Sequence, residues 1–236
     1  MEIYNYKHAG ENFKFQLLDN AFVPTGTSTM MVECVKKHLK EPCEVLDLGC
    51  GVGIVGILLN HYGLVKGDLY ASDLGESAVE ACLKNAALHK CNAVVKQGSI
   101  FEPWSNMKFD CIVNDISGVA GEVANISPWF EGVDCDAGDD GSELVNKVIV
   151  ESEKHLNTGG VLFFPIISLS NTQNIIETAK NNFKKVECLA RKNWPLPKEM
   201  LNHKEMLLSL KKQGFIDIEE KFGLIQWYTE IYIAYN

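Results

Sequence analysis

The chain has 236 residues, a formal net charge of −9, a pI near 5.2 and 46% hydrophobic residues, enough to fill a core and too many for a disordered chain. The length suits one α/β domain with embellishments, and no apolar run reaches the roughly 18 residues of a membrane span. The acidic balance and the presence of one arginine, Arg191, disfavour a nucleic-acid partner, because phosphate binding draws on clustered Lys and Arg.

Residues 1–41 read as an N-terminal extension. From Glu44 the pattern alternates between short apolar strands and amphipathic helices. Glu44–Leu48 is a predicted strand, and a helix begins at Ile54–Asn60. Leu69–Ser72 is the next strand. Ser77–His89 follows as a helix, with Ser77 and Glu80 in the spacing of a capping box. Ala93–Lys96 and Phe109–Val113 are strands. Ser142–Leu156 is a helix carrying Val145, Val148, Ile149 and Leu156 at helical spacing, ended by Gly159-Gly160. Val161–Ile167 is a buried strand, Asn174–Phe183 a helix, and Lys185–Ala190 and Gly223–Tyr235 the last strands. Residues 193–213, with a Pro-rich turn and a helix, form an insertion in the domain that spans 42–236. The alternation predicts an α/β, Rossmann-like fold. Its sheet has seven mostly parallel strands, helices on both faces and an antiparallel last strand.

The strongest signal is EVLDLGCGVGIVG, Glu44–Gly56: a strand, a glycine-rich turn, then a helix N-terminus. It contains GxGxxG at Gly51, Gly53 and Gly56. Asp73 lies 20 residues after Gly53 at the next strand end, where a carboxylate accepts ribose hydroxyl protons. A dinucleotide is the competing ligand. Asp47, two residues before Gly49, argues against it: a carboxylate in the ligand mouth repels a pyrophosphate and favours a sulfonium and an ammonium.

The stretch DLGCGVG, Asp47–Gly53, resembles the first motif of class I S-adenosylmethionine-dependent methyltransferases. That resemblance implies S-adenosyl-L-methionine as cofactor, with Asp47, Gly49, Gly51 and Gly53 around it. YASD, Tyr70–Asp73, resembles the second motif, which places Asp73 on the ribose with Leu74 after it. QGSIF, Gln97–Phe101, resembles the third. Ser99, where many members carry Asp, then meets the adenine amine, and Ile100 lies on the adenine face. AFVPTGTST, Ala21–Thr29, resembles the segment preceding the core in ribosomal-protein and peptide-glutamine methyltransferases. Thr25, Thr27 and Thr29 would close over the cofactor. DDGSEL, Asp139–Leu144, resembles a segment of the release-factor glutamine enzymes. The helical N-terminal substrate domain of those enzymes has no counterpart, so their specific activity is not implied.

Phe109–Gly118 reads FDCIVNDISG, a buried strand ending in Asn114 and Asp115 where ligands of open parallel sheets bind. In many amino-group methyltransferases this position reads Asn-Pro-Pro-Tyr. Here Asn114-Asp115-Ile116-Ser117 lacks the prolines and tyrosine, and it resembles the Asn-Ile pattern of ribosomal-protein methyltransferases as well. Asn114 is the predicted acceptor of N–H bonds from the methylated nitrogen and also a cofactor contact. Asp115 is a proton acceptor or, alternatively, a cap. Trp194, Trp227 and Tyr228 either wall an acceptor pocket or belong to the core.

The six histidines show no metal-ligand spacing, so no metal is predicted. Eight cysteines, none in a CxxC pair, stand in apolar contexts. The N-terminal MEIYNYKHAG lacks the regions of a secretion signal, so the expectation is a cytoplasmic protein with reduced thiols. The leading expectation is N-methylation of a protein side chain. A small-molecule acceptor, a nucleic acid, a non-catalytic cofactor-binding module and an NAD-dependent oxidoreductase are the alternatives.

Overall fold

A computed structural model describes residues 2–18, 24–116, 118–130, 137–221 and 223–236. The chain opens on an antiparallel hairpin, β1 (Glu2–His8) with β2 (Glu11–Leu17). Helix α1 (Gly26–His38) follows. Thr25 caps it by accepting a bond from the Thr27 amide at 3.2 Å, and Lys36, Lys37 and His38 occupy the last turn, where cations suit the carbonyl end.

The expected alternation then runs through β3 (Val45–Leu48), α2 (Ile54–His61), β4 (Leu69–Asp73), α3 (Glu76–Leu88), β5 (Ala93–Gln97) and β6 (Phe109–Asn114). It continues with α4 (Gly121–Ile126), α5 (Glu143–Ser152), β7 (Leu156–Ile167), α6 (Thr172–Asn182), β8 (Lys185–Pro195), α7 (Lys204–Gln213), β9 (Glu219–Lys221) and β10 (Leu224–Tyr235). The sheet order is β5-β4-β3-β6-β7-β10-β8. The first five strands are parallel, and β10 is antiparallel to both β7 and β8. These are the seven strands expected from the sequence. Among the described residues an eighth, the three-residue β9, adds to the start of β10. Strand order reverses at β3, which lies between β4 and β6, so the ends of β3 and β6 frame the crevice where such sheets bind ligands.

Alternate residues of the central strands enter two cores. Val45, Cys111, Val113 and Phe163 face α1, α2 and α3, together with Phe13 and Phe15 of the hairpin. Leu46, Ile112, Leu162 and Phe164 face α5 and α6. The hairpin is tied down by Asn85 of α3, which is fully buried. Its Oδ1 accepts the Gln16 amide at 2.7 Å, and its Nδ2 donates to the carbonyls of Gln16 and Val52. Residues 193–213 pack Met200, Leu207 and Leu210 against Trp227 in a third cluster with α4.

Several expected boundaries move. Helix α3 starts at Glu76 with Gly75 as its cap, so Ser77 lies inside it and forms no capping box; Glu80 pairs instead with Lys84 at 2.6 Å. Helix α5 ends at Ser152, and Leu156 opens β7. Gly159 and Gly160 therefore stand inside a strand and do not end the preceding segment. The reason is local: a Cβ on Gly160 would come within 3.0 Å of the Phe109 carbonyl, and the β6–β7 register shifts between Phe109 and Cys111. Strand β8 continues past Ala190 to Pro195 because its partner β10 is long enough to pair Trp194 with Trp227. Pro195 sits at the end of this edge strand, where a missing amide is tolerated.

Candidate active site

The turn after β3 is built by backbone bonds. The Gly49 and Cys50 amides both donate to the Ser72 carbonyl, at 2.9 and 3.0 Å, which locks the turn to the end of β4. Gly51 has φ +52° and nothing within 4 Å of where a Cβ would be, so its backbone borders open space. Gly53, at φ +87°, is the cap of α2, and a Cβ there would meet Cys82 Sγ at 2.8 Å.

Asp73, at the end of β4, organises the opposite lip. Its Oδ2 accepts the Gly51 amide and its Oδ1 the Gly75 amide, each at 2.9 Å. Leu74 beside it is 68% exposed. These residues border a cavity of about 220 Å³. Of the predicted contacts, Gly49, Gly51, Asp73, Leu74, Ser99, Ile100, Thr27 and Asp115 line it. Asp47, Gly53 and Asn114 are not among the lining residues.

Asp47 lies beneath the turn, fully buried. Its Oδ2 accepts the Gly56 amide at 2.8 Å, while Oδ1 has no partner among the described residues. Burial, then the neighbouring charges of Asp115 and Asp73, push its pKa up to about 7 against the pull of the Gly56 amide. The side chain supports α2 and the turn from below, a different place from the cavity mouth expected for it. Asn114 is also fully buried, and its amide closes a local turn: Oδ1 accepts the Ile116 amide and Nδ2 donates to the Ile116 carbonyl, both at 3.1 Å. The wall position belongs to the next residue. Asp115 holds its Oδ2 2.8 Å from Ser28 Oγ, which donates, and its amide donates to the Leu48 carbonyl at 3.0 Å. Burial raises Asp115 to about 7, with the Ser28 bond working in the opposite direction.

Of the three threonines, Thr25 and Thr27 line the cavity, and Thr29 does not. Its Oγ1 is paired with Tyr6 Oη at 2.7 Å on the hairpin side of α1. Residues 21–23 of the same motif, Cys135 and Ser117 lie outside the described residues. Ser28, Ile116 and Leu144 also wall the cavity, members of quoted motifs that were not singled out as contacts. Ser28 sits in the Thr/Ser run, but which of its members face inward depends on the phase of α1, a helix not expected over these residues. Ile100 is a further surprise. This buried, β-branched residue is held at φ +47°, a strained conformation that concentrates at functional sites.

The cavity's charge decides its ligand. Its acidic lining consists of Asp73 and Asp115, and among the described residues no Lys, Arg or His lines it. Two acidic groups without a cation beside them disfavour a pyrophosphate and favour a sulfonium and an ammonium. With the open backbone at Gly51 and a carboxylate at the lip, the residues fit S-adenosylmethionine.

Residues 39–221 match a family model described as a methyltransferase domain, and the chain belongs to that family. Its cofactor is S-adenosyl-L-methionine, and it is built on the Rossmann-like methyltransferase fold. The chain is 24% identical over 156 residues to a release factor glutamine methyltransferase of Geobacter sulfurreducens, a match covering 63% of this chain and 54% of that one. It is thus similar to about half of that enzyme's length. It is 27% identical over 192 residues to a provisionally named protein N5-glutamine methyltransferase of Methanocaldococcus jannaschii, over 81% of this chain and 94% of that one. Among solved structures, a T. thermophilus 16S rRNA N2 methyltransferase in complex with AdoMet and guanosine has a similar fold. Its TM-score is 0.66 at 15% identity, over 100% of this chain and 50% of that one. Among the described residues no helix is long and apolar enough to cross a membrane.

Proposed function

We propose that this chain transfers a methyl group from S-adenosylmethionine to a nitrogen of a protein side chain. The observation that carries the reading is the cavity at the β3–β6 switch point, walled by two carboxyl groups and, among the described residues, no cation. Protein as the acceptor is supported by the relatives named as glutamine methyltransferases and by the chain's acidic, arginine-poor composition.

The bound cofactor supplies a methyl group already activated on a sulfonium, so the chain's task is chiefly alignment. Asp73 accepts hydroxyl protons of the ribose, and its bond to the Gly51 amide keeps the turn in place for that contact. Ser99 and Ile100 stand on the base side. Asp115 is the candidate catalytic group: a carboxyl near neutral pKa, fixed by Ser28, accepts an N–H bond or the proton lost from the acceptor nitrogen. Asn114 is a positioning residue that shapes the turn carrying Asp115 and Ile116. Residues 1–41 are an extension whose helix α1 contributes Thr27 and Ser28, and residues 193–213 an insertion in the domain from 42 onward. A reducing, cytoplasmic setting is part of this reading, from the apolar contexts in which the cysteines stand.

The test is transfer of tritiated methyl to fractionated protein, RNA and small-molecule extracts, with the modified site located by mass spectrometry. The reading expects label on a protein nitrogen and at least a tenfold loss with Asp115→Ala. Label confined to RNA or to small molecules contradicts it.

A further inference from the structure

Three cavities follow one another around the start of α1. The donor cavity shares Thr25 and Thr27 with a second cavity of about 320 Å³, lined by Trp129, Trp194 and Trp227. The second shares Gly26 and Trp194 with a third, of about 470 Å³, further along α1. A Cβ on Gly26 would lie 2.2 Å from the Trp194 ring, so glycine lets the helix start close on the indole at this junction. Tyr228, expected beside the two strand tryptophans, is elsewhere: its hydroxyl donates to Asp217 at 3.2 Å and the Arg191 guanidinium covers its ring.

The third cavity is a groove between α1 and β8. Its helix wall runs from Gly26 to His38 at three- and four-residue spacing, one face of α1. Its strand wall is Leu189, Ala190, Lys192 and Trp194. Strand β8 ends the sheet, and among the described residues no strand pairs with its outer edge.

The charges of these two elements run against the rest of the chain. Together α1 and β8 carry five Lys and Arg against two carboxylates, on a chain of net charge −9. Three of the cations are engaged: Lys36 lies 3.5 Å from the Tyr62 ring centroid, Lys185 pairs with Glu187 at 2.8 Å and Arg191 with Glu230 at 3.3 Å. Glu33, the carboxylate on the groove wall, lies 2.9 Å from His8 Nε2, and His38 Nε2 lies 2.7 Å from Tyr235 Oη. Lys37 and Lys192 remain, both exposed and both on the wall, and neither forms an ion pair among the described residues. The apolar Met30, Leu189 and Ala190 beside them suit the side chains of a polypeptide better than a phosphate backbone, and the chain's one arginine is turned to Tyr228.

We propose that the groove holds an acidic, extended stretch of the substrate protein while the methylated residue stands at the donor cavity. The assignment rests on the reading of the chain as a protein side-chain methyltransferase. Thr27, on the donor cavity, precedes Lys37 by ten residues, about 15 Å along the helix axis. An extended chain covers that distance in about five residues at roughly 3.3 Å each. The substrate therefore carries its carboxylates about five residues from the methylated position.

The full chain, saturated with S-adenosylhomocysteine, is titrated into a fluorescein-labelled peptide while anisotropy is followed. The peptide has a central glutamine, alanine and serine spacers, and glutamate pairs about five residues to either side. Saturable binding is expected at low salt, weakening at about 0.5 M salt. Lys37→Glu with Lys192→Glu weakens the peptide by about fivefold or more, the scale of two exposed ion pairs. Lys37→Arg with Lys192→Arg keeps the affinity, and both variants bind S-adenosylhomocysteine as the parent does. Unchanged peptide affinity in the double glutamate variant overturns the proposal, as does equal affinity for a peptide with lysines in place of the glutamates. Binding of an oligoadenylate RNA through the same lysines, with none of the peptide, also overturns it. Methylated proteins whose sites lack nearby acids, and whose labelling is indifferent to the double glutamate variant, defeat the groove alone. Peptide binding through the two lysines without any methylated protein leaves an acidic-peptide groove standing and defeats the broader reading.

Discussion

Asp47 makes a quantitative prediction about stability. Its carboxyl is fully buried, one oxygen is unpaired among the described residues, and its folded pKa is about 7, well above its ordinary value of 3.8. The folded state therefore holds a proton that the unfolded chain releases. The stability this lends is complete below pH 3.8 and is lost as pH rises through 7. A shift of about three units at 1.36 kcal/mol per unit sets the scale. The loss between pH 4 and 8 is on the order of 2 to 4 kcal/mol, the lower figure allowing for relaxation around the charge. Asp47→Asn keeps an oxygen for the Gly56 amide and cannot ionise. Urea unfolding of both proteins at pH 5, 6, 7 and 8 measures the difference. The variant gains on the parent by about 1.4 kcal/mol per pH unit below 7 and by little above it. Parallel stability curves for the two proteins would refute the assignment of a buried, proton-holding carboxyl.

Three other outcomes are expected. Gly51→Val places a branched Cβ in the donor cavity and forces it to φ +52°. Equilibrium binding should show S-adenosylmethionine affinity lost, and thermal melts a strain cost of about 1–2 kcal/mol. Ser28→Ala removes the bond that lowers Asp115, so the Asp115 pKa rises above about 7 and the alkaline-rising limb of the methyl-transfer pH profile moves to higher pH. Trp104→Phe leaves the buried Ser72 hydroxyl without its indole donor at 2.9 Å and costs about 1–3 kcal/mol in denaturant unfolding, with donor affinity nearly preserved.

Much of the architecture was legible because the central strands are short, apolar and buried on both faces. Leu46 and Val45, or Leu162 and Phe163, enter opposite cores, which is what a parallel sheet requires. The glycine turn and the Asp73 strand end were legible for a similar reason: local sequence dictates their backbone. What escaped depends on tertiary contacts. Gly159-Gly160 read as a stop because a glycine pair usually is one, yet close approach to the Phe109 and Asp110 carbonyls makes it part of a strand. Asn114 and Asp115 were noticed together, but their division of labour follows from how the chain turns after β6. That turn spends the Asn114 amide on Ile116 and presents Asp115 to Ser28. Trp129 packs 5.0 Å from Trp227 between ring centroids, from a segment with no strand or helix pattern in its sequence, 98 residues earlier in the chain.

The most direct test of the donor site is calorimetry of the purified chain with S-adenosylmethionine, S-adenosylhomocysteine and NAD, with Asp73→Ala alongside. The account predicts binding of the first two and none of NAD. It also predicts a loss of about 10- to 150-fold in the variant, the range for removing hydrogen bonds to a charged group. Binding of NAD alone, or S-adenosylmethionine affinity indifferent to Asp73, would contradict it.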